Sequence, residues 1–124
     1  MTCPFCNLTE SSVIAESKHA LARLDGYPLS EGHALIVSKR HVSNFFDLTM
    51  EEQQDMLLLL NRVKHSMDQQ YTTQDYNVGI NCGPLAGQTI DHVHIHLIPR
   101  RKGDVDDPRG GVRWVLPDKA VYWK

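Results

Sequence analysis

His92-Val93-His94-Ile95-His96-Leu97-Ile98 alternates polar and apolar residues without a break. That is the period of a β-strand with one buried face. The reading places a strand over Asp91 to Ile98, with Val93, Ile95 and Leu97 turned into a core. His92, His94 and His96 then line the opposite face, with neighbouring Cα atoms about 6.6 Å apart. Near neutral pH, histidine serves as nucleophile, general acid or base, or metal ligand. A cluster of such groups usually marks function, the competing reading being a solvated face that carries histidine by chance.

Immediately upstream, Gly83-Pro84-Leu85-Ala86-Gly87 reads as a loop. Its glycines allow backbone conformations in which N–H groups turn toward an anion. Gln88 and Thr89 add neutral donors just before the His strand. Donors beside imidazoles suit a negatively charged substrate such as a phosphate. A histidine that attacks phosphorus must be neutral at the attacking nitrogen. Its other N–H must be held by an acceptor, and a backbone carbonyl can supply that.

Further out, the chain reads as strands, one long helix, strands and a tail. Val13 to Glu16 and Ala20 to Leu24 suggest a hairpin around Ser17-Lys18-His19. Asp25-Gly26-Tyr27-Pro28 is turn chemistry. Ala34 to Val37 is a short apolar run suited to a central strand. Thr49-Met50-Glu51-Glu52 fits a capping box. The helix it opens should reach about Tyr71 and bury Met56, Leu59, Leu60, Val63 and Met67 along one stripe. Met56 to Leu60 is apolar all round, which favours burial on a second side as well. Tyr76 to Asn81 reads as another strand, and an irregular tail begins at Gly103. His19 and His65 read as surface residues, and Cys82 as a small buried or loop residue.

Composition narrows the classes. The chain has 124 residues, 41% of them hydrophobic, and a net charge of -2. That suits a single domain over residues 1–124. Charges of both signs are mixed, so nothing resembles the basic stripe of a nucleic-acid binder. Met56 to Leu60, the longest apolar run, is too short to span a bilayer. The start lacks a basic region followed by an apolar stretch, so neither a signal peptide nor a membrane partner is expected, and the expected location is cytoplasmic. Cys3-Pro4-Phe5-Cys6 offers two thiolates at zinc-knuckle spacing. A tetrahedral site needs two more ligands, which distant histidines would have to supply. The redox reading of Cys-x-x-Cys expects a strand before the motif, and none is read here. Free thiols are the remaining reading.

The motif His92-Val93-His94-Ile95-His96-Leu97-Ile98 resembles the signature of the histidine triad family of nucleotide hydrolases and transferases. Asp25, followed by Gly32-His33-Ala34-Leu35-Ile36-Val37-Ser38-Lys39-Arg40-His41, resembles a second segment of that family. Asn81 to Thr89 resembles its phosphate loop, and Cys3-Pro4-Phe5-Cys6 the zinc knuckle of one subgroup. One departure is Ser38, where the family commonly has proline. Pro99-Arg100 with Gly103-Asp104 resembles the dinucleoside polyphosphate hydrolases more than the phosphoramidases.

The resemblance implies an α+β fold: a five-stranded antiparallel sheet packed by the long helix, with two chains pairing into a homodimer with one continuous sheet. Residues 1–8 would be the zinc-knuckle N-terminus and 103–124 a C-terminal tail. The substrate implied is a purine nucleotide. His94 would be the nucleophile, with His96 and His33 stabilising phosphate charge and Gln88 near the leaving oxygen. Asn81, Gly87 and Thr89 would contact the phosphate side, and Asp25 the ribose hydroxyls. Cys3, Cys6, His41 and His92 would ligate a structural zinc. The reaction implied is cleavage at the α-phosphate through a nucleotidyl-histidine intermediate, and three alternatives stand beside it: a nucleoside phosphoramidase of the same family, a zinc hydrolase with His92, His94 and His96 on a catalytic metal, and a non-catalytic nucleotide-binding module.

Overall fold

Residues 3–8, 12–73 and 75–123 are described by the computed structural model. Met1 and Thr2 of the expected knuckle and Lys124 of the tail lie outside the described residues. Strands β1 (Val13–Glu16), β2 (Ala20–Leu24) and β3 (Ala34–Ser38) precede helix α1 (Met50–Gln70), and β4 (Asp75–Gly79) and β5 (His94–Arg100) follow it. The strands form one antiparallel sheet in the order β1-β2-β3-β5-β4. The expected α+β class, sheet and helix are all present.

Helix α1 starts where its sequence dictates. The Thr49 hydroxyl accepts the Glu52 N–H, and the Glu52 carboxylate accepts the Thr49 N–H. These reciprocal bonds satisfy donors that a helix start leaves unpaired. Met56, Leu59, Val63 and Met67 are buried, and Leu60 packs partly against the same core. The opposite face of that core comes from Ala20, Ala22, Ala34 and Ile36 with Val93, Ile95 and Leu97. Among the described residues nothing buries a second helix side: Leu57 and Leu58 are 46% and 65% exposed.

Strand β3 is buried along its whole length, which explains its unbroken apolar run. Ala34 and Ile36 face the helix, whereas Leu35 and Val37 pack against Phe5 of the N-terminal knuckle. The knuckle thus covers the sheet face opposite the helix.

The bounds of β4 and β5 depart from the sequence reading. β5 begins at His94 rather than Asp91, because the residues before it are captured by other backbone. The His92 N–H donates to the Ile90 carbonyl, and the Val93 N–H to the Val42 carbonyl. β5 also continues through Pro99 to Arg100. Pairing with β3 ends at Leu97, so the missing Pro99 N–H has no strand partner to lose. β4 ends at Gly79 instead of Asn81.

The tail is more ordered than expected. It forms short 3-10 helices at Gly111–Val115 and Pro117–Lys119. The Trp114 indole N–H donates to the Arg109 carbonyl, and the Arg109 guanidinium lies 4.8 Å from the Trp123 ring centre. Arg113 stacks on Tyr122 and donates to the Lys119 and Ala120 carbonyls.

Candidate active site and metal centre

His94 and His96 lie on β5 and His92 just before it, and each of the three has a different partner. His94 is buried, and its Nδ1–H donates to the His92 carbonyl at 2.8 Å. In a neutral ring the proton is thereby placed on Nδ1, which leaves Nε2 with a bare lone pair. The Phe5 ring meets His94 edge-on with centroids 5.0 Å apart. Nothing local in the sequence pointed to Phe5, which reaches His94 only because the knuckle folds over β3.

His96 lies next along the face, its ring centre 5.1 Å from that of His94. The Leu29 N–H donates to His33 Nδ1 at 3.1 Å, which puts the His33 proton on Nε2. That Nε2 lies 3.0 Å from His96 Nδ1, so His96 accepts and carries its own proton on Nε2. Burial holds both rings below the ordinary imidazole pKa, and the nearby Asp25 carboxylate pulls the other way. Asp25 Oδ2 stands 3.4 Å from His33 Nε2 and 4.0 Å from His96 Nδ1. Its Oδ1 accepts the Tyr27 N–H, which closes the expected turn. A carboxylate therefore joins the cluster, although the strand pattern alone showed none.

The loop before β5 has the backbone freedom expected of it. Gly83 and Gly87 adopt φ of 96° and 93°, values that favour glycine. Gln88 is held tightly within this loop. Its Oε1 accepts the Gly83 N–H, and its Nε2 donates to the Ser43 and Ile90 carbonyls. The Gln88 side chain thus braces the loop, whereas Gly87 and Thr89 are exposed. Asn81 borders a cavity that also reaches His96.

Two cysteines and two histidines from three separate segments build a second centre. Cys3 Sγ, Cys6 Sγ, His41 Nδ1 and His92 Nδ1 all lie within 4.8 Å of one another. His92 Nδ1 is 3.3 Å from Cys3 Sγ and 3.2 Å from His41 Nδ1, and Cys6 Sγ is 3.1 Å from His41 Nδ1. Atoms bound about 2.0–2.3 Å from a tetrahedral ion lie roughly 3.3–3.8 Å apart, so these separations fit a four-ligand metal site. The buried His92 donates from Nε2 to the Ser38 carbonyl at 2.7 Å, which aims Nδ1 at the thiols. Ser38 sits in the strand without strain, its hydroxyl donating to the Arg40 carbonyl.

This arrangement disagrees with a catalytic metal held by His92, His94 and His96. His92 turns Nδ1 to the cysteines, His94 turns Nδ1 to a carbonyl, and His96 turns Nδ1 to His33. His65 is exposed as expected, and His19 is half-buried against Glu51.

The HIT domain family model matches residues 8–103. The chain therefore belongs to the HIT domain family. It is 36% identical to the adenosine 5'-monophosphoramidase of Schizosaccharomyces pombe over 104 residues, covering 81% of this chain and 75% of that protein. It is 41% identical to the bis(5'-adenosyl)-triphosphatase of Saccharomyces cerevisiae (strain YJM789) over 118 residues. That match covers 94% of this chain but 54% of the yeast protein, about half its length. Among solved structures, the Plasmodium falciparum diadenosine triphosphate hydrolase in complex with cyclomarin A aligns with a TM-score of 0.76 and 34% identity. The alignment covers 81% of this chain and 68% of that one. A Zn-bound histidine triad family protein from Mycobacterium smegmatis aligns with a TM-score of 0.69 and 32% identity, over 74% and 67% of the two chains. Among the described residues, no helix is long and apolar enough to cross a membrane.

Proposed function

We propose that this protein hydrolyses a purine nucleotide at its α-phosphorus through a nucleotidyl-His94 intermediate, with a dinucleoside polyphosphate as substrate. The carrying observation is the His94 Nδ1–H held by the His92 carbonyl, which frees Nε2 as a neutral nucleophile. In the first step Nε2 forms a bond to the α-phosphorus. The bond to the bridging oxygen breaks, and the leaving nucleotide departs with that electron pair. In the second step water attacks the same phosphorus, the P–N bond breaks, and a nucleoside monophosphate leaves. One water is consumed for each substrate cleaved.

The other residues support these steps. His96, with its proton on Nε2, donates to a phosphoryl oxygen, and His33 fixes that tautomer. Asn81, Gly87 and Thr89 contact the phosphate side, and Gln88 holds the loop that presents them near the leaving oxygen. Asp25 accepts hydrogen bonds from the ribose hydroxyls. Zinc on Cys3, Cys6, His41 and His92 would be structural, because four protein ligands leave no open position for water. A homodimer would cover the exposed Leu57 and Leu58, and sedimentation velocity tests it.

The names of the yeast and Plasmodium relatives favour the anhydride substrate. A phosphoramidate is the second reading, favoured by the name of the fission-yeast relative. The chemistry at His94 is common to both, and only the leaving group differs. The test incubates the purified protein with diadenosine triphosphate and with adenosine 5'-monophosphoramidate and follows product release by chromatography. Release of adenosine monophosphate supports the reading. Absence of release from both overturns it.

A further inference from the structure

We propose that Ser30 is a positioning residue whose hydroxyl fixes which nitrogen of His96 carries the proton offered to the phosphate. Its effect on turnover rests on the hydrolase reading above, whereas its effect on the two rings rests on hydrogen bonds alone.

The Ser30 bond fills a gap in the sheet. β5 runs to Arg100, but its pairing with β3 ends where Ala34 faces Leu97. The segment that leads into β3 takes the place of the missing strand. Ser30 is half-buried there, and its hydroxyl donates to the Pro99 carbonyl at 2.7 Å. The Ser30 carbonyl accepts the His33 N–H at 3.1 Å. Ser30 thus ties the end of β5 to the turn that carries His33.

The two ends of this turn are held differently. Next to His33, the buried Gly32 adopts φ of 90° against helix α1. A Cβ there would lie 3.0 Å from Tyr71 Cε2 and 3.2 Å from Met67 Sδ, so packing fixes that end. At the other end, Leu29 donates its N–H to His33 Nδ1 at 3.1 Å. Its side chain gives that N–H little support, because Leu29 is 76% exposed and Tyr27 and Pro28 are exposed beside it. The Ser30 hydroxyl is the adjacent anchor.

The position of the Leu29 N–H decides the chemistry two rings away. A neutral imidazole carries one N–H. With Nδ1 accepting from Leu29, the His33 proton sits on Nε2, 3.0 Å from His96 Nδ1. His96 then keeps its own proton on Nε2, where it serves as a donor to the phosphoryl oxygens. When the Leu29 N–H moves away, His33 is free to hold its proton on Nδ1. Its Nε2 then accepts from His96 Nδ1–H, and His96 Nε2 turns a lone pair to the phosphate. The pair holds two protons in either arrangement, but a donor has become an acceptor. Asp25 Oδ2, 3.4 Å from His33 Nε2, favours the productive arrangement as well. Loss of Ser30 should therefore mix the two tautomers rather than invert them.

The test reads the rings and the rate separately. Two-bond proton–nitrogen NMR spectra of 15N-labelled protein report which ring nitrogen is protonated. In wild type, His33 and His96 should both carry the proton on Nε2. In Ser30→Ala the Nδ1–H form should become detectable at both rings. There kcat/KM should fall roughly two- to tenfold, the worth of one hydrogen bond. The fall should be equal on diadenosine triphosphate and adenosine 5'-monophosphoramidate, because His96 faces the phosphate they share. Ser30→Thr keeps a hydroxyl and should restore both readouts. Leu29→Pro deletes the N–H itself with Ser30 intact, and it should give the same tautomer mixture. A wild-type His33 protonated on Nδ1 overturns the proposal. So do unchanged ring signals in folded Ser30→Ala or Leu29→Pro, even if the melting temperature falls. Mixed tautomers at an unchanged kcat/KM overturn the effect on turnover. A wild-type protein that cleaves neither substrate overturns the hydrolase reading, and the ring signals still decide the chain from Ser30 to His96.

Discussion

The His94 Nδ1–H donates to the carbonyl oxygen of His92 at 2.8 Å, so the backbone of the motif itself fixes the tautomer of its middle histidine. His94→Gly should therefore lower kcat by several orders of magnitude while nucleotide binding is largely kept, because a covalent route can no longer split one hard displacement into two. Retention of more than about a tenth of the rate, only about 1.4 kcal/mol of barrier, would remove His94 from this role. Mass spectrometry of wild-type protein quenched without acid should detect a nucleotidylated His94.

The metal centre predicts a different pattern. Purified protein should contain about one zinc per chain, the complement of four tetrahedral ligands. Cys3→Ser should lower Tm on the order of 5 °C or more, the shift expected when a small domain loses about 1 kcal/mol. Brief chelation should leave turnover in place, because the site is closed and Cys3 lies outside the phosphate-binding residues. Metal-free protein in which Cys3→Ser melts like wild type would reduce the knuckle to a pair of thiols. Immediate loss of turnover on an intact fold would favour metal-assisted hydrolysis.

Much of this was legible in the sequence, and the reasons differ by residue. The strands at Val13 and Ala20 and the Thr49–Glu52 cap rest on neighbours in sequence, so local rules found them. The start of β5 was misplaced because the Val93 N–H binds the distant Val42 carbonyl, a partner no local pattern reveals. Pro99 concealed the far end of β5, since its place beyond the β3 pairing is a property of register. Cys3 and Cys6 announced two ligands by spacing, but His41 and His92 join them only through the fold. Alternation put His92, His94 and His96 on one face but could not show that their nitrogens turn to three different partners. The Asp25 carboxylate and the Phe5 ring reached the histidines by tertiary packing alone. The all-round apolar stretch at Met56 signalled surface that this chain does not itself cover.

Glu52 gives the fold an acid-sensitive joint. Its carboxylate accepts from Arg40 Nε and Nη2 at 3.0 and 2.8 Å and from the Thr49 N–H at 2.9 Å. The Arg40 guanidinium, then the Thr49 N–H, hold its pKa down at about 2. A folded-state pKa below the unfolded value, about 4.3, stabilises the protein fully above that value. The contribution is lost as pH falls from about 4.3 toward 2. Glu52→Gln should lower Tm at pH 7, and its difference from wild type should shrink steadily below pH 4. Parallel Tm curves for the two proteins down to pH 2.5 would show that the carboxylate charge contributes nothing.

The pair His33 and His96 should titrate in the opposite sense to an exposed histidine beside a carboxylate. Burial lowers both pKa values and outweighs the attraction of Asp25 for the charged rings. NMR titration should place both midpoints below about 6.5, the ordinary imidazole value. Asp25→Asn removes the carboxylate that opposes burial and should move both midpoints further down. An upward movement would mean that Asp25 does not face these rings in solution.

Asp25 carries one more expectation, about the sugar. Its Oδ1 is fixed by the Tyr27 N–H, while Oδ2 lies at the edge of the His33–His96 pair. A carboxylate so placed can accept hydrogen bonds from both ribose hydroxyls, as an acidic residue does in dinucleotide-binding folds. A 2',3'-dideoxyadenosine substrate would leave it desolvated without those donors, at a cost of roughly 1–3 kcal/mol in kcat/KM. Asp25→Ala should shrink this discrimination, because the group that reads the hydroxyls is gone, and it should leave measurable turnover, because His94 keeps its own acceptor in the His92 carbonyl. The measurement is kcat/KM for matched ribose and dideoxyribose substrates in both proteins. Equal discrimination by the two would detach Asp25 from the sugar. Absence of discrimination in wild type would mean that the pocket does not read the ribose hydroxyls.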